Sequence, residues 1–121
     1  MKVICTRLLD YAGKHLDKST WLTVGKKYHV LELILDTDRV WKVRLVGDEP
    51  NGIAVFRLDQ FEVVSSKLPH NWIIAWGKDG FFELTPEPWS LSGFWERYYE
   101  HNLDAVKIFD TEYNRILACD P

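Results

Sequence analysis

The sequence predicts an α+β fold in which a small antiparallel barrel is followed by a β-hairpin and two C-terminal helices. Three observations support this prediction: five short strand-like segments lie within residues 1–65, two more flank a glycine-containing turn, and apolar residues take up helical spacing only after residue 90. We expect a single domain over residues 1–121, with the barrel in 1–65 and the hairpin and helices packed on it in 66–121.

The composition is that of a folded globular chain. Of its 121 residues, 46% are hydrophobic and 27% are charged, and no apolar run approaches the length of a membrane span. The first residues lack the long apolar stretch of a secretory signal and are strand-like instead. We therefore expect a cytoplasmic protein that does not contact a membrane.

The N-terminal half contains five segments with the composition of β-strands. They are 3–7, 28–35, 40–46, 53–57 and 61–64, with a long loop between the first two. Apolar residues occupy both alternations of 28–35, so both faces of that strand should be covered. In 40–46 apolar residues alternate with Lys42 and Arg44, which predicts a strand with one face in solvent.

A hairpin and a first helix are expected next. The apolar segments 72–76 and 81–84 flank a turn that contains two glycines, which is typical of a β-hairpin. Thr85 is expected to cap the helix, with Pro86 at its first position. One arc of this helix carries four aromatic residues that should pack on the hairpin with Trp72, Trp76 and Trp89: Phe94, Trp95, Tyr98 and Tyr99.

The second helix should begin after Asn102, whose side chain can cap it. Three-and-four spacing places five apolar residues on one of its faces: Val106, Phe109, Tyr113, Ile116 and Leu117. Trp21, in the long first loop, is the aromatic residue that we expect to be exposed.

Two segments of the N-terminal half carry a resemblance. Residues 22–30 read Leu-Thr-Val-Gly-Lys-Lys-Tyr-His-Val, which resembles the entry to the second strand of many bacterial SH3-like barrels. Residues 57–61 are similar to the turn before the last strand of those barrels. Together the resemblance covers about half of the chain. It implies an SH3-like barrel, in which Gly25 permits a diverging turn and Tyr28 packs.

A second resemblance lies in the C-terminal part. Residues 88–99, followed by Ala105 and Phe109, resemble the corresponding part of small immunity proteins from bacterial polymorphic-toxin and contact-dependent inhibition loci. This resemblance implies that the chain binds and neutralises one toxin domain by occlusion. It also implies no cofactor and no catalysis by the chain itself.

Charge is divided along the chain. Residues 1–78 hold twelve Lys and Arg against nine Asp and Glu, whereas residues 79–121 hold three against nine. A concentrated negative potential attracts a basic macromolecule. We therefore expect the acidic helices of the C-terminal part to cover a basic toxin domain, for example a nuclease with a positive substrate site.

Five residues on the helices are the predicted partner-binding site. Glu96 and Glu100 form a like-charge i, i+4 pair, which destabilises a helix by a few tenths of a kcal/mol. Helix stability therefore does not explain why both residues are acidic. On the second helix, Asp104, Ile108 and Glu112 are spaced to form a stripe away from the apolar face. An apolar residue flanked by carboxylates is a common arrangement at protein interfaces. A solvated acidic face is the alternative interpretation.

Other functions stay open as alternatives. An SH3-like module could bind nucleic acid or a peptide through the barrel face, which carries Trp41 and these basic residues: Lys26, Lys27, Arg39, Lys42, Arg44 and Arg57. Strand alternation already explains Lys42 and Arg44, and a pI near 5.8 is unfavourable for a polyanion. A small hydrolase with an unfamiliar site is a third possibility.

No common catalytic or metal-binding motif is present. The sequence contains no HExxH, P-loop, GxSxG or GxGxxG motif, and its four histidines lack metal-ligand spacing. Cys5 and Cys119 have neither CxxC nor Cys/His spacing, so we interpret them as two buried thiols. Cys5 could meet His29 or His70 across the barrel, but a thiol in the middle of an apolar strand is expected to be inert. We predict no metal and no cofactor.

Overall fold

Two antiparallel sheets and two C-terminal helices form the computed structural model, which describes residues 1–121. The strands are β1 (Lys2–Cys5), β2 (Lys27–His29), β3 (Glu32–Leu35), β4 (Trp41–Val46), β5 (Ile53–Arg57), β6 (Phe61–Ser65), β7 (Trp72–Trp76) and β8 (Phe82–Pro86). The helices are α1 (Phe94–Tyr99) and α2 (Leu103–Cys119), with short 3-10 turns at Leu58–Gln60 and Glu87–Ser90. None of the helices has the length and apolar character needed to cross a membrane.

The smaller sheet has the strand order β2-β1-β6 and the larger one the order β5-β4-β3-β8-β7. The predicted hairpin is β7 and β8, and it extends the larger sheet because β8 pairs with β3, with Leu84 opposite Leu33. The α+β class, the hairpin and the two C-terminal helices are confirmed. An SH3-like barrel is not confirmed, because the two sheets do not close into one.

The expected single strand over 28–35 is divided between the sheets. Its first part is β2 and its second part is β3. Between them, the Val30 N–H donates to the Met1 carbonyl at 3.0 Å, whereas the Leu31 N–H donates to the Arg44 carbonyl at 2.8 Å. Val30 and Leu31 are both completely buried, as the apolar pattern on both alternations predicts.

Each of these two residues belongs to a different hydrophobic core. The first core includes Val30 and lies where residues of both sheets meet: Met1, Val3, Cys5, Leu22, Tyr28, Val30, Val43, Leu45 and Phe61. The second core joins Leu31 to the C-terminal segment: Leu31, Trp89, Phe94, Ala105, Phe109 and Ile116. Leu31 is therefore the crossover residue that joins the second core to the sheets.

The predicted start of the first helix is wrong. Thr85 and Pro86 are the last residues of β8, where Thr85 is completely buried and its hydroxyl donates to Glu32. Pairing with β7 keeps this segment extended, and α1 begins only after Gly93, whose φ of 80° favours glycine. The Asn102 cap is confirmed, since its Oδ1 accepts from the Ala105 N–H at 3.0 Å.

The aromatic residues around α1 form the centre of the second core, where Phe94, Trp95 and Tyr98 pack on Trp89 and on Phe109 of α2 and not, as predicted, on the hairpin. The ring of Trp89 stacks on that of Phe109 with centroids 5.1 Å apart, and Tyr98 lies 4.7 Å from the same ring. Two expected members of this group lie elsewhere: Trp72 packs against the first core, and Trp76 is 77% exposed. Trp76 is at the last position of β7, at the opposite end from Trp72, and its ring contacts that of Phe82. The exposure predicted for Trp21 is confirmed.

Candidate functional site

A cleft of about 780 Å³ lies between the larger sheet, the long first loop and residues 89–96. Its sheet side presents the face of β4 that carries Lys42 and Arg44, the face that strand alternation predicts to be in solvent. The side chains that matter to its chemistry are Lys42, Arg44, Arg57, Glu83, Trp89, Trp95 and Glu96. We refer to this space as the cleft.

Arg44 is at the inner end of the cleft and is only 13% exposed, so the prediction that it faces solvent is wrong. Register places it opposite Glu32, and its Nε lies 2.5 Å from the completely buried Glu32 Oε1. The Thr85 hydroxyl donates to the other oxygen of Glu32 at 2.6 Å. Alternation identifies a polar face but does not show what covers it. Here a helical layer covers the face, and a carboxylate balances the charge.

Aromatic residues of α1 complete the surroundings of Arg44. Its guanidinium lies over the Trp95 ring, with Cζ 3.8 Å from the ring centroid. Its Nη1 donates to the Tyr99 hydroxyl at 3.0 Å, and that hydroxyl donates to the Ile53 carbonyl at 2.8 Å. The cation is therefore held by a carboxylate on one side and by an aromatic face on the other.

The other two cations of the cleft also have carboxylate partners. Lys42 Nζ lies 2.9 Å from Asp36 and 3.0 Å from Asp38, and this contact holds the pKa of Asp36 below its usual value. Arg57 Nη2 lies 2.8 Å from Asp59, whose pKa it lowers in the same way. Neither side chain is therefore left unpaired to bind a phosphate group.

Glu83 is a candidate functional residue that no sequence pattern had indicated. It lies on β8 between Ile34 and Ala75, and its carboxyl has neither a hydrogen bond nor an ion pair. Burial raises its pKa to about 7, the negative charge of Glu32 adds to the shift and the positive charge of Arg44 opposes it. The signal available in the sequence is a single acid at the polar position of an otherwise apolar segment, 81–84.

Trp89 lines the cleft and contains a second unsatisfied polar group. Its side chain is almost completely buried, and its indole Nε1 has no hydrogen-bond acceptor. A buried N–H without an acceptor costs on the order of 1–3 kcal/mol, so such groups are uncommon in folded proteins. Because the Nε1 atom is itself fully buried, it is not a donor that a molecule in the cleft can reach.

The predicted partner-binding residues divide into two sets. Glu96, Glu100 and Asp104 are exposed, and no cation of the chain pairs with them. Ile108 is half-buried against the second core, and Glu112 is only 6% exposed. The prediction that Asp104, Ile108 and Glu112 form an outward stripe is therefore wrong at the last two positions.

The physical reason lies in the helical spacing of α2. Glu112 is three residues after Phe109 and four before Ile116, so it shares their inward face. Its carboxylate is tied to Arg115, with Nη1 3.0 Å from Oε1. Its backbone carbonyl accepts from the Asn71 side chain at 3.2 Å. Glu112 consequently contributes to the packing of α2 and has its charge balanced within the chain.

The junction of α1 and α2 carries two exposed apolar side chains among the free carboxylates. Leu103 is 76% exposed and Tyr99 is 46% exposed. A sharp turn at His101, which has a φ of 63°, separates the helices and leaves Leu103 at the first position of α2. We call the group Glu96, Tyr99, Glu100, Leu103 and Asp104 the acidic helical end.

A row of aromatic rings lies on the opposite face of the larger sheet. Phe82 is in the middle, with its ring centroid 5.9 Å from that of Trp41 and 5.3 Å from that of Trp76. Ile74 is exposed beside it on β7. Such an exposed apolar surface is a second candidate for contact with another protein.

Both thiols are free, and the contacts of Cys5 and of His29 are with other residues. Cys5 is buried, as predicted, and burial raises its thiol pKa. The His29 ring is 2.6 Å from the Asp120 carbonyl, while the Cys5 thiol donates to the Arg7 carbonyl at 3.4 Å. Cys119 is half-buried and not fully buried, because it is at the last turn of α2.

Comparison of the chain with protein-family models, with curated proteins and with solved structures found no match. Within the structure, no group of three or more His, Cys, Asp or Glu side chains is placed to hold a metal ion. A functional proposal for this chain therefore depends on its own residues and their geometry.

Proposed function

We propose that the chain binds a basic protein partner through the acidic helical end and neutralises that partner by occlusion. The partner would be a toxin domain, such as a nuclease, as the resemblance to immunity proteins implies, and the chain would act in the cytoplasm without a cofactor. The observation that carries the proposal is the exposure of Leu103 and Tyr99 among three carboxylates that have no cationic partner in the chain.

The electrostatics of this surface favour association with a cation-rich partner. Glu96 and Glu100 repel one another across one turn of α1, so they reduce the stability of the helix slightly. Asp104 is in the first turn of α2, where the positive end of the helix dipole favours it. Unpaired surface carboxylates accelerate encounter with a basic surface and have little effect on the intrinsic stability of the fold.

Leu103 serves as the apolar anchor in this proposal. It replaces Ile108, which is half-buried against the second core and presents less surface to a partner. Glu112 has its charge balanced by Arg115, so it stabilises the placement of α2 and does not attract the partner directly. Tyr is among the residues that most often supply binding energy at an interface, and Leu103 adds exposed apolar surface beside Tyr99.

A structural part of the proposal concerns residues 1–65. We propose that they form an opened relative of an SH3-like barrel. The strand order supports this proposal, because β6-β1-β2 continues through Val30 and Leu31 into β3-β4-β5. The addition of the hairpin to β3 keeps the larger sheet open.

The proposal is tested by co-purification of the chain with the product of the gene next to its own, followed by binding kinetics. We expect Asp104→Lys to slow association and to flatten its dependence on salt. Leu103→Arg should accelerate dissociation and cost about 2 kcal/mol or more of binding free energy. Asp17→Lys, a matched reversal at an exposed site in the first loop, should leave the kinetics unchanged.

Circular dichroism of each variant provides the folding control, and both helical variants should give the spectrum of the parent protein. If they fold and bind with unchanged rates, the acidic helical end is not the interface. The row formed by Trp41, Phe82 and Trp76 would then be the next surface to substitute.

A further inference from the structure

We propose that β7 pairs with β7 of a second copy of this chain, antiparallel and about a two-fold axis at Ile74, so that two larger sheets join into one. The inference goes beyond the proposed function, because it concerns an edge of the larger sheet and not the acidic helical end. The partner in this pairing is the chain itself, so the purified protein alone is sufficient to test it.

β7 is the edge strand that carries no charged side chain. The edges of the two sheets are β2, β6, β5 and β7, and the first three contain Lys27, Glu62 and Arg57 respectively. The sequence of β7 is Trp-Ile-Ile-Ala-Trp. Charged side chains on an edge strand oppose pairing with another chain. β7 is therefore the edge at which such pairing meets no charge.

The backbone of β7 has free hydrogen-bonding groups along this edge. Pro86, which has no N–H, lies opposite Trp72 in the ladder with β8, so this pair cannot be a hydrogen-bonded one. Alternation then turns the N–H and C=O groups of Trp72, Ile74 and Trp76 away from β8. The Trp72 N–H is used within the chain, since it donates to the Pro69 carbonyl at 3.3 Å. Ile74 and Trp76 therefore present unpaired N–H groups at the edge.

The sequence of β7 reads nearly the same in both directions, which suits antiparallel pairing with a copy of itself. With the two-fold axis at Ile74, each Ile74 N–H donates to the Ile74 carbonyl of the second copy. Each Trp76 N–H donates to the Trp72 carbonyl of the second copy, and Ala75 lies opposite Ile73, so a small side chain meets a larger one. All free N–H groups of the two strands then have acceptors.

The same pairing covers exposed apolar side chains of β7. Trp76 is 77% exposed, Ile74 is 53% exposed and Ile73 is 37% exposed. The exposed parts of these side chains in two copies amount to on the order of 600 Å². With the backbone of both strands, the buried area is at most about 1,200 Å², the lower limit for stable interfaces and typical of a weak association. We therefore expect a dissociation constant of about 100 μM.

The experiment combines sedimentation equilibrium of the full chain, from about 5 μM to about 1 mM, with amide hydrogen exchange followed by NMR. The average mass should rise from 14.2 kDa towards twice that value. At a protomer concentration about ten times the dissociation constant, about four-fifths of the chains are paired, so exchange at the Ile74 and Trp76 amides should slow about fivefold. The Val55 amide, on the edge strand β5, is the control and should exchange at the same rate throughout.

Proline substitution tests the backbone bonds directly. Ile74→Pro removes an N–H that points away from β8, so the hairpin should fold while dimerisation weakens at least about tenfold. Val55→Pro is the matched change and should leave dimerisation unaltered. The Gly47 N–H donates to the Gly52 carbonyl, so alternation turns the Val55 N–H towards the free edge of β5 as well. If a proline variant fails to fold, Ile74→Lys and Val55→Lys repeat the comparison with a charged side chain.

Three results would overturn the inference. They are a single-chain mass over the whole concentration range, a dimer that Ile74→Lys leaves unchanged, and equal slowing of exchange at Ile74 and Val55. Assembly beyond a dimer would contradict it too, since a two-fold contact closes with two copies. None of these results bears on the acidic helical end, which is tested with the basic partner. Equally, failure of Leu103→Arg to affect partner binding would leave the dimer measurement valid.

Discussion

Arg44 on β4 and Glu32 on β3 form an ion pair inside the fold, with Nε 2.5 Å from Oε1 and with the carboxylate completely buried. The pair connects the sheet to the helices because the same guanidinium reaches Trp95 and Tyr99. Two charges in such a place are tolerated only together, since the loss of one leaves the other buried and unbalanced.

Substitution of Arg44 should therefore be severe. We expect Arg44→Leu to lower the free energy of unfolding by about 3–5 kcal/mol, measured by urea denaturation at neutral pH. Lys42→Leu is the matched control on the same strand and should cost about 1 kcal/mol or less, because its aspartate partners are partly exposed. Addition of Glu32→Gln to Arg44→Leu should recover part of the loss. Equal losses for the two leucine variants would show that the buried pair has no special role.

Glu83 should make the protein less stable as pH rises. Its carboxyl holds a proton up to about pH 7 in the folded state, whereas the ordinary value of 4.5 applies to the unfolded chain. As pH rises, the unfolded chain releases this proton before the folded protein does, which favours the unfolded state. The free energy of unfolding therefore falls between pH 4.5 and about pH 7, and this group does not change it at lower pH. Because the group is partly exposed, we expect a decrease of only about 1–2 kcal/mol.

Glu83→Gln should lack this decrease, so it should match the parent near pH 4 and exceed it in stability at pH 8. Asp36 and Asp59, whose pKa values Lys42 and Arg57 lower, lose their stabilising effect as pH falls in both proteins. The difference between parent and variant thus isolates Glu83. Parallel stability curves across this range would contradict the raised pKa.

Two tryptophans of the chain offer a matched comparison of burial. Trp89→Ala removes a ring that stacks on Phe109 in the second core and should cost about 3–5 kcal/mol of unfolding free energy. Trp76→Ala removes a ring that is 77% exposed and should cost less than about 1 kcal/mol. Thermal unfolding followed by calorimetry measures both. A large loss at Trp76 would mean that the edge strand depends on its aromatic neighbours.

Binding of nucleic acid should be weak. Lys42, Arg44 and Arg57 all have carboxylate partners, so few cations are free to release counterions from a phosphate backbone. Fluorescence anisotropy with short RNA and DNA at physiological salt should show at most weak association that salt abolishes. Tight binding that is lost in a Lys42→Glu, Arg44→Glu variant, with the fold intact, would support the alternative function of the barrel face.

The elements that were predicted correctly are those whose sequence patterns extend over only a few residues. The strands β5 and β7 and the Asn102 cap have the predicted positions, because alternation, turn residues and capping act over short distances. The end of β8 was not predictable in this way. Thr85 and Pro86 have the local chemistry of a helix start, but pairing with β7 and the bond from Thr85 to Glu32 keep them extended.

The candidate site depends on long-range pairing and could be predicted only in part. Glu96, Glu100 and Asp104 are exposed, as spacing on a helical wheel suggests. The environment of Glu83 follows from the register of β8 on β3 and of β3 on β4, and neither register is encoded in a local pattern. The inward position of Glu112 was available from its spacing to Phe109 and Ile116, whereas the Asn71 and Arg115 contacts that satisfy its polar groups depend on the fold.

The single peptide bond between Val30 and Leu31 has a consequence for cooperativity. Since one residue fills the first core and the next fills the second, a rearrangement that withdraws either side chain displaces the other. The two halves of the molecule should then melt in one calorimetric transition, with equal van't Hoff and calorimetric enthalpies. Slow hydrogen exchange at these two amides should report the global opening of the whole chain, because both are buried and bonded to different sheets.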